Sequence, residues 1–236
     1  MSAIPLGRPL KSREVEYPSS DGKPMAETDL HRDEMIYVIE ALQKHFRDAR
    51  DVYVSGNLLL YYVEGEPRYS ISPDALVAKG LADAKSRRDI YKVWEEGRPP
   101  CWVMEVTSRS TRQEDLRKKK DLYRQLGVEE YFLFDPREEY LDPSLQGFRL
   151  IGGPGGEYRP IGLEADGSLL SPLLGILFQR EGQELRLVNV RTGEIYLHAL
   201  EEAEARRNLE DRAENAERRA AALEAELAQL RRQIQS

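Results

Sequence analysis

The sequence predicts an α/β protein, and three observations carry that prediction. Residues 101–136, CWVMEVTSRSTRQEDLRKKKDLYRQLGVEEYFLFDP, read as strand, polar turn, helix, tight turn and strand, so a helix crosses between parallel strands. Residues 140–200 follow with short β-rich runs separated by turn residues, the pattern of hairpins packed on that core. From Glu201 the composition changes to Ala, Glu, Arg and Leu without Gly or Pro, which reads as one long helix. With 236 residues, 40% of them hydrophobic, the chain can hold one domain of ordinary size plus an appendage. The boundaries read as an arm at 1–27, a main domain at 28–200 and a helix at 201–236.

Composition narrows the function classes. No apolar run reaches membrane-spanning length, and MSAIPLGRPLKSREVEY lacks the apolar core of a signal peptide, so a cytoplasmic protein is expected. The single cysteine, Cys101, excludes an intrachain disulfide, and its place at the start of an apolar strand favours a structural role. A formal charge of −7, from 35 basic and 42 acidic residues, excludes a strongly basic nucleic-acid coat, so any contact with nucleic acid must be local.

Taken in order, residues 1–27 carry four prolines and few large apolar residues, as an arm lying over a surface does. Thr28 or Asp29 caps the first helix, whose apolar stripe is Met35, Ile39, Leu42 and Phe46. One turn earlier the stripe lands on His31, either a core histidine or a site residue. DVYVSGNLLLYYV at 51–63 is strand-like with a kink at Gly56 and Asn57. In RYSISPDALVAK, alternation places Asp74 on the face of Leu76 and Ala78, and Pro73 marks a strand start. Residues 80–100 form a charged connection, helical around Asp89–Trp94, with Lys79, Lys85, Arg87, Arg88 and Lys92 nearby. That basic run reads as solvated surface, with contact to phosphates as the second reading. GGPGG near residue 153 lacks the Gly-Lys-Ser/Thr of a phosphate loop and is a turn. At the end, Leu209, Ala213, Ala216, Ala220, Leu223, Leu227, Leu230 and Ile234 step by four and three, the seam of a coiled coil, with a dimer as the expected state.

The chemistry gathers around Glu105, the one acid inside the apolar run Cys101–Val106. A buried carboxylate is costly without a cation or donors. Asp74 is the second strand acid, and two such carboxylates can bind a hard divalent cation. The next residue on Glu105's face is Thr107, so a lysine partner must come from elsewhere. On a helical projection of RQEDLRKKKDLYRQL, Lys119 falls about 5° from the centre of the face carrying Leu116, Leu122, Tyr123 and Leu126, while Lys118 and Lys120 turn about 100° away to solvent. Asp115 lies one turn before Lys119 on that face and can pair with it.

The segments SPDALVAKG, PPCWVMEVTSRST, EDLRKKKDLY, LGVEEYFLFDP, LQGFRLI and RTGEIYL, in this order, resemble the Uma-type restriction-endonuclease family, a branch of the PD-(D/E)xK nuclease superfamily. The resemblance covers roughly residues 25–200. It implies a restriction-endonuclease-like core, a mixed sheet flanked by helices, with Asp74 and Glu105 as metal-binding acids, Lys119 as the helix lysine and His31 at a family position. Thr107 departs from the lysine of the wider superfamily. The resemblance, with the two strand acids, thus implies a Mg²⁺- or Mn²⁺-dependent DNA endonuclease, and the heptad seam adds the expectation of a homodimer paired through the coiled coil. The alternative is a catalytically inactive nuclease-fold module acting in binding or assembly, and a weaker third reading is processing of RNA or branched DNA.

Overall fold

The computed structural model describes residues 15–20, 28–108 and 114–234. It divides into two compact units, Met1–Glu194 and Ile195–Ser236. Most of the expected arm, residues 1–14 and 21–27, lies outside the described residues. Tyr17, which is described, packs its ring on Tyr61 at 5.1 Å and Trp94 at 5.3 Å.

The first unit opens with α1 (Asp29–His45), whose N-cap is Thr28: its side chain accepts the His31 N–H at 3.2 Å. The buried face of α1 is wider than a simple stripe, because Glu34 and Tyr37 turn inward beside Met35, Val38 and Leu42. Both polar groups serve buried backbone donors: Glu34 accepts the Leu185 N–H at 2.9 Å and the Tyr37 hydroxyl accepts the Leu187 N–H at 2.8 Å.

After α1 the chain forms β1 (Val52–Ser55), β2 (Leu59–Tyr61), β3 (Ser70–Ile71), β4 (Ala75–Lys79) and β5 (Ile90–Lys92). The strand-like run 51–63 is therefore two strands, and they enter different sheets. The kink between them includes Asn57, which adopts a positive φ of 50°. Residues 70–79 also divide, since Pro73 cannot donate to a ladder. Where helical character was expected at Asp89–Trp94, the chain forms β5 and then one helical turn, α2 (Val93–Glu96). The β-branched Ile90 and the buried Tyr91 suit a strand, and Gly97 at φ 74° ends the turn.

Next come β6 (Trp102–Val106), a π-helical segment (Glu114–Lys119), α3 (Lys120–Leu126) and β7 (Glu130–Phe134). The crossover unit is present, with β6 and β7 parallel in register Trp102↔Glu130 to Val106↔Phe134. Gly127 at φ 87° ends α3 and lets the chain turn into β7. The hairpin region supplies β8 (Leu145–Ile151), β9 (Glu157–Pro160), β10 (Leu169–Ser171), β11 (Ile176–Glu181) and β12 (Glu184–Asn189).

Six strands form the main sheet in the order β1-β4-β6-β7-β8-β9, mixed because only β6 and β7 are parallel. The strands β10-β11-β12 form a second sheet and β3-β2-β5 a third. One face of the main sheet packs Leu76, Ala78, Val103, Tyr131 and Leu133 against Tyr123, Leu116 and Leu126 from the crossover helix. On the alternate residues Trp102 and Phe132 meet Phe178 at ring separations of 5.6 and 5.0 Å. This is the expected α/β architecture, a mixed sheet flanked by helices.

The second unit is dominated by α4 (Ala199–Ile234), 36 residues long. Ion pairs one turn apart, Arg206 with Glu210 at 3.3 Å and Arg218 with Glu214 at 2.9 Å, stud its surface. Leu209, Leu223, Leu227 and Leu230 are exposed along it. Among the described residues, no helix is long and apolar enough to cross a membrane.

Candidate active site

Strand register brings the two sequence-selected acids together. Strand β4 pairs antiparallel with β6 as Ala75↔Met104 and Leu76↔Val103. One step further places Asp74 opposite Glu105 on the same face. Asp74 precedes the first residue of β4, so it stands at the strand entrance, where β1 also ends. There the chain closes tightly: Asn57 N–H donates to the Pro73 carbonyl at 2.8 Å. A Cβ added at Gly56 would sit 1.9 Å from the Asp74 carbonyl oxygen, so only glycine lets β1 end there.

The crossover segment supplies the cation. Lys119 Nζ lies 2.7 Å from Glu105 Oε2 and 3.1 Å from Asp115 Oδ1. The Tyr123 hydroxyl, one turn further, donates to Glu105 Oε1 at 2.7 Å. Both oxygens of the fully buried Glu105 are thus met by donors, which answers the cost of placing an acid in an apolar strand. Tyr131 OH donates to the Asp115 carbonyl at 3.0 Å and ties the π-helical segment to β7. The remaining expected residue, His31, puts Nε2 3.2 Å from Asp74 Oδ2, and the same oxygen accepts the Val106 N–H at 2.7 Å. The contacts thus fall into two groups, His31 with Asp74 and Lys119 with Glu105, set side by side by the pairing of β4 with β6.

Its electrostatics are lopsided: Asp74, Glu105 and Asp115 face a single ammonium. Burial pushes the Glu105 carboxyl well above the ordinary carboxylate range, against the pull of Lys119 and with the charges of Asp74 and Asp115 adding. Burial also disfavours the Lys119 ammonium. The Glu105, Asp115 and Asp74 charges outweigh that and hold its pKa above the usual lysine value, so Lys119 is charged at neutral pH. The oxygens suited to a hard cation belong to Asp74 and Glu105, and each carboxylate oxygen keeps a second lone pair beside its present donor. Among the described residues no group of three or more His, Cys, Asp or Glu side chains makes a ready metal cage. Two hard oxygen donors without a third protein ligand fit an ion that keeps water and substrate oxygens as its other ligands, the habit of Mg²⁺.

Beside Asp74 opens a cleft of about 310 Å³, lined by Thr28 and His31 of the α1 start, by Val106 and Thr107 after β6, and by the turn after β7. Thr107 Oγ1 is buried and has no hydrogen-bond partner among the described residues.

Other expectations fare differently. Lys118 is exposed as projected, but Lys120 folds over the Phe148 ring at 3.2 Å, and its half-burial lowers its pKa. The basic run is largely consumed by internal contacts. Lys79 donates to the Leu173 carbonyl, Lys85 to those of Phe46 and Val52, Arg88 pairs with Glu96, and Lys92 with Glu95. Burial pushes the Cys101 thiol up to about 11, in keeping with a structural residue. Sequence reasoning missed the Tyr123 hydroxyl as a donor to Glu105. The signal was present, since Tyr123 stands four residues after Lys119 on the face assigned to the core.

Comparison with known proteins gives the lineage. The model of the Uma2 family, described as "Putative restriction endonuclease", matches residues 9–181. The chain belongs to this family. The Uma2 match includes His31, Asp74, Glu105 and Lys119 and ends before α4. Among solved structures, a protein from Anabaena variabilis ATCC 29413, described as "a putative nuclease belonging to DUF820", is 19% identical, with 70% of this chain and 87% of that chain covered and a TM-score of 0.45. No curated protein matches this Uma2 chain.

Proposed function

We propose that this chain is a cytoplasmic, Mg²⁺- or Mn²⁺-dependent endonuclease that hydrolyses phosphodiester bonds of DNA. The observation that carries the reading is the largely enclosed Lys119, held between Glu105 and Asp115, with Asp74 opposite Glu105 and in contact with His31 and Val106, which line a cleft. Asp74 and Glu105 are the residues to hold the ion. Once bound, a divalent cation polarises the scissile phosphate and lowers the pKa of an attacking water. Lys119 Nζ is fixed and charged, so it orients that water or meets the negative charge that develops on the phosphate. Tyr123 holds Glu105 Oε1, while Val106 N–H and His31 hold Asp74 Oδ2, which keeps both acids in position. The leucine seam of α4 pairs two copies as a coiled coil, and two such sites can cut both strands of a duplex. The single free cysteine suits a reducing compartment.

Plasmid cleavage with Mg²⁺ or Mn²⁺ tests the reading: wild type nicks or linearises DNA, while Asp74→Ala, Glu105→Gln and Lys119→Met do not. Equal behaviour of wild type and Asp74→Ala overturns it. Thr107, in place of the superfamily lysine, favours a second reading, a binding or assembly module without turnover. Calorimetric titration with Mn²⁺ separates the two, because a module without turnover need not bind the ion, whereas the nuclease binds it and loses it in Glu105→Ala.

A further inference from the structure

The cleft beside Asp74 is rimmed by a cation that no other group among the described residues uses. The turn after β7 is held by Asp135, whose buried carboxylate accepts the N–H groups of Arg137 at 3.1 Å, Tyr140 at 2.5 Å and Leu141 at 3.0 Å. That network fixes the backbone of Arg137 at the cleft rim. Each acid close in sequence is already engaged: Asp135 by these amides, Glu138 by Arg180, and Glu139 by the Tyr140 hydroxyl. The Arg137 side chain is exposed and makes no ion pair or hydrogen bond among the described residues. Among the described residues it is also the one Lys or Arg that lines this cleft.

Two further facts point to an anionic oxygen ligand. Three carboxylates lie at the back of the site, so a phosphate approaching Asp74 is repelled unless a counter-charge stands in front. The Thr107 hydroxyl, buried against the same cleft, has no hydrogen-bond partner among the described residues. A planar guanidinium on an exposed rim matches a phosphodiester better than a lysine does.

We propose that Arg137 binds a backbone phosphate of the nucleic-acid strand that lies in this cleft, next to the bond presented to Asp74 and Glu105. This rests on the nuclease reading of the site. Arg137 contacts phosphate and no base edge, so it supplies affinity and register without sequence preference.

The test measures fluorescence-anisotropy binding of duplex oligonucleotides across a salt series, in Ca²⁺ to prevent turnover, and cleavage kinetics in Mg²⁺ or Mn²⁺. It compares wild type, Arg137→Gln and a control, Arg87→Gln, an exposed arginine of the basic run. Arg137→Gln should weaken binding roughly tenfold on two unrelated sequences and lower the salt slope by about 0.9 for a duplex or about 0.7 for a single strand. Its KM should rise with kcat little changed, and Arg87→Gln should match wild type. If Arg137→Gln binds with the wild-type affinity and slope while wild type binds and cuts, the Arg137 assignment falls and the nuclease reading stands. Equal losses in both variants overturn it too, as a general charge effect. Should wild type neither bind nor cut nucleic acid, both fall together.

Discussion

Replacing Glu34 by glutamine should change how the fold responds to pH. Glu34 is buried on α1 with Oε2 on the Leu185 N–H. Burial, with Glu184 and Asp33 adding and the Leu185 amide and Arg186 opposing, lifts its carboxyl from 4.5 to about 7. The native state therefore binds this proton more tightly than the unfolded chain. Its contribution to stability is complete below pH 4.5, declines as the pH rises through 7, and is gone above that. A gap of about 2.5 pH units corresponds to roughly 3 kcal/mol, a large part of the ~5–15 kcal/mol that stabilises a domain. Glutamine has nearly the same shape, can accept the Leu185 N–H, and does not ionise. Urea unfolding near pH 4 should then find Glu34→Gln and wild type alike, and near pH 8 the variant more stable by up to about 3 kcal/mol. Parallel curves for the two proteins across this range, or a variant weaker at pH 8, would refute the reasoning.

The site makes its own predictions. Lys119→Met strands Glu105 and Asp115 without their ammonium and should cost about 3–5 kcal/mol in urea unfolding; adding Glu105→Gln should recover part of that, so a double-mutant cycle that closes additively would show the pair uncoupled. Gly56→Ala forces a methyl against the Asp74 carbonyl and should cost about 1–3 kcal/mol while lowering cleavage more than its melting point suggests, because the displaced backbone carries Asp74. Changing Leu223, Leu227 and Leu230 together to alanine should turn a dimer into a monomer by light scattering, with the first unit's unfolding unchanged.

Much of the site was legible in the sequence because its residues obey local periods. Strand alternation placed Asp74 with Leu76, and helical spacing selected Lys119 from three adjacent lysines. Although residues 114–119 are π-helical, Asp115 and Lys119 remain on one side of the wider turn, and Lys119 meets Glu105. What escaped depends on distant partners. Tyr123 counts as apolar in any periodicity, and only the strand beneath shows where its hydroxyl goes. Glu34 and Tyr37 turn inward because the N–H groups of β12, some 150 residues later, need acceptors. The assignment of 52–61 and 70–79 to separate sheets likewise follows from pairing that no local pattern encodes. Arg137 lies in a turn, where no period applies.

The burial of the site is graded, and the gradation decides which group a reagent meets first. The side chains of Asp74 and Lys119 each keep 13% of their surface, Asp115 keeps 1% and Glu105 none. A water-soluble carbodiimide can therefore find Asp74 and pass over the other two acids. Among the three acids Asp74 is the one within reach of a reagent in solution, while Glu105 on the next strand stays enclosed by its own neighbours.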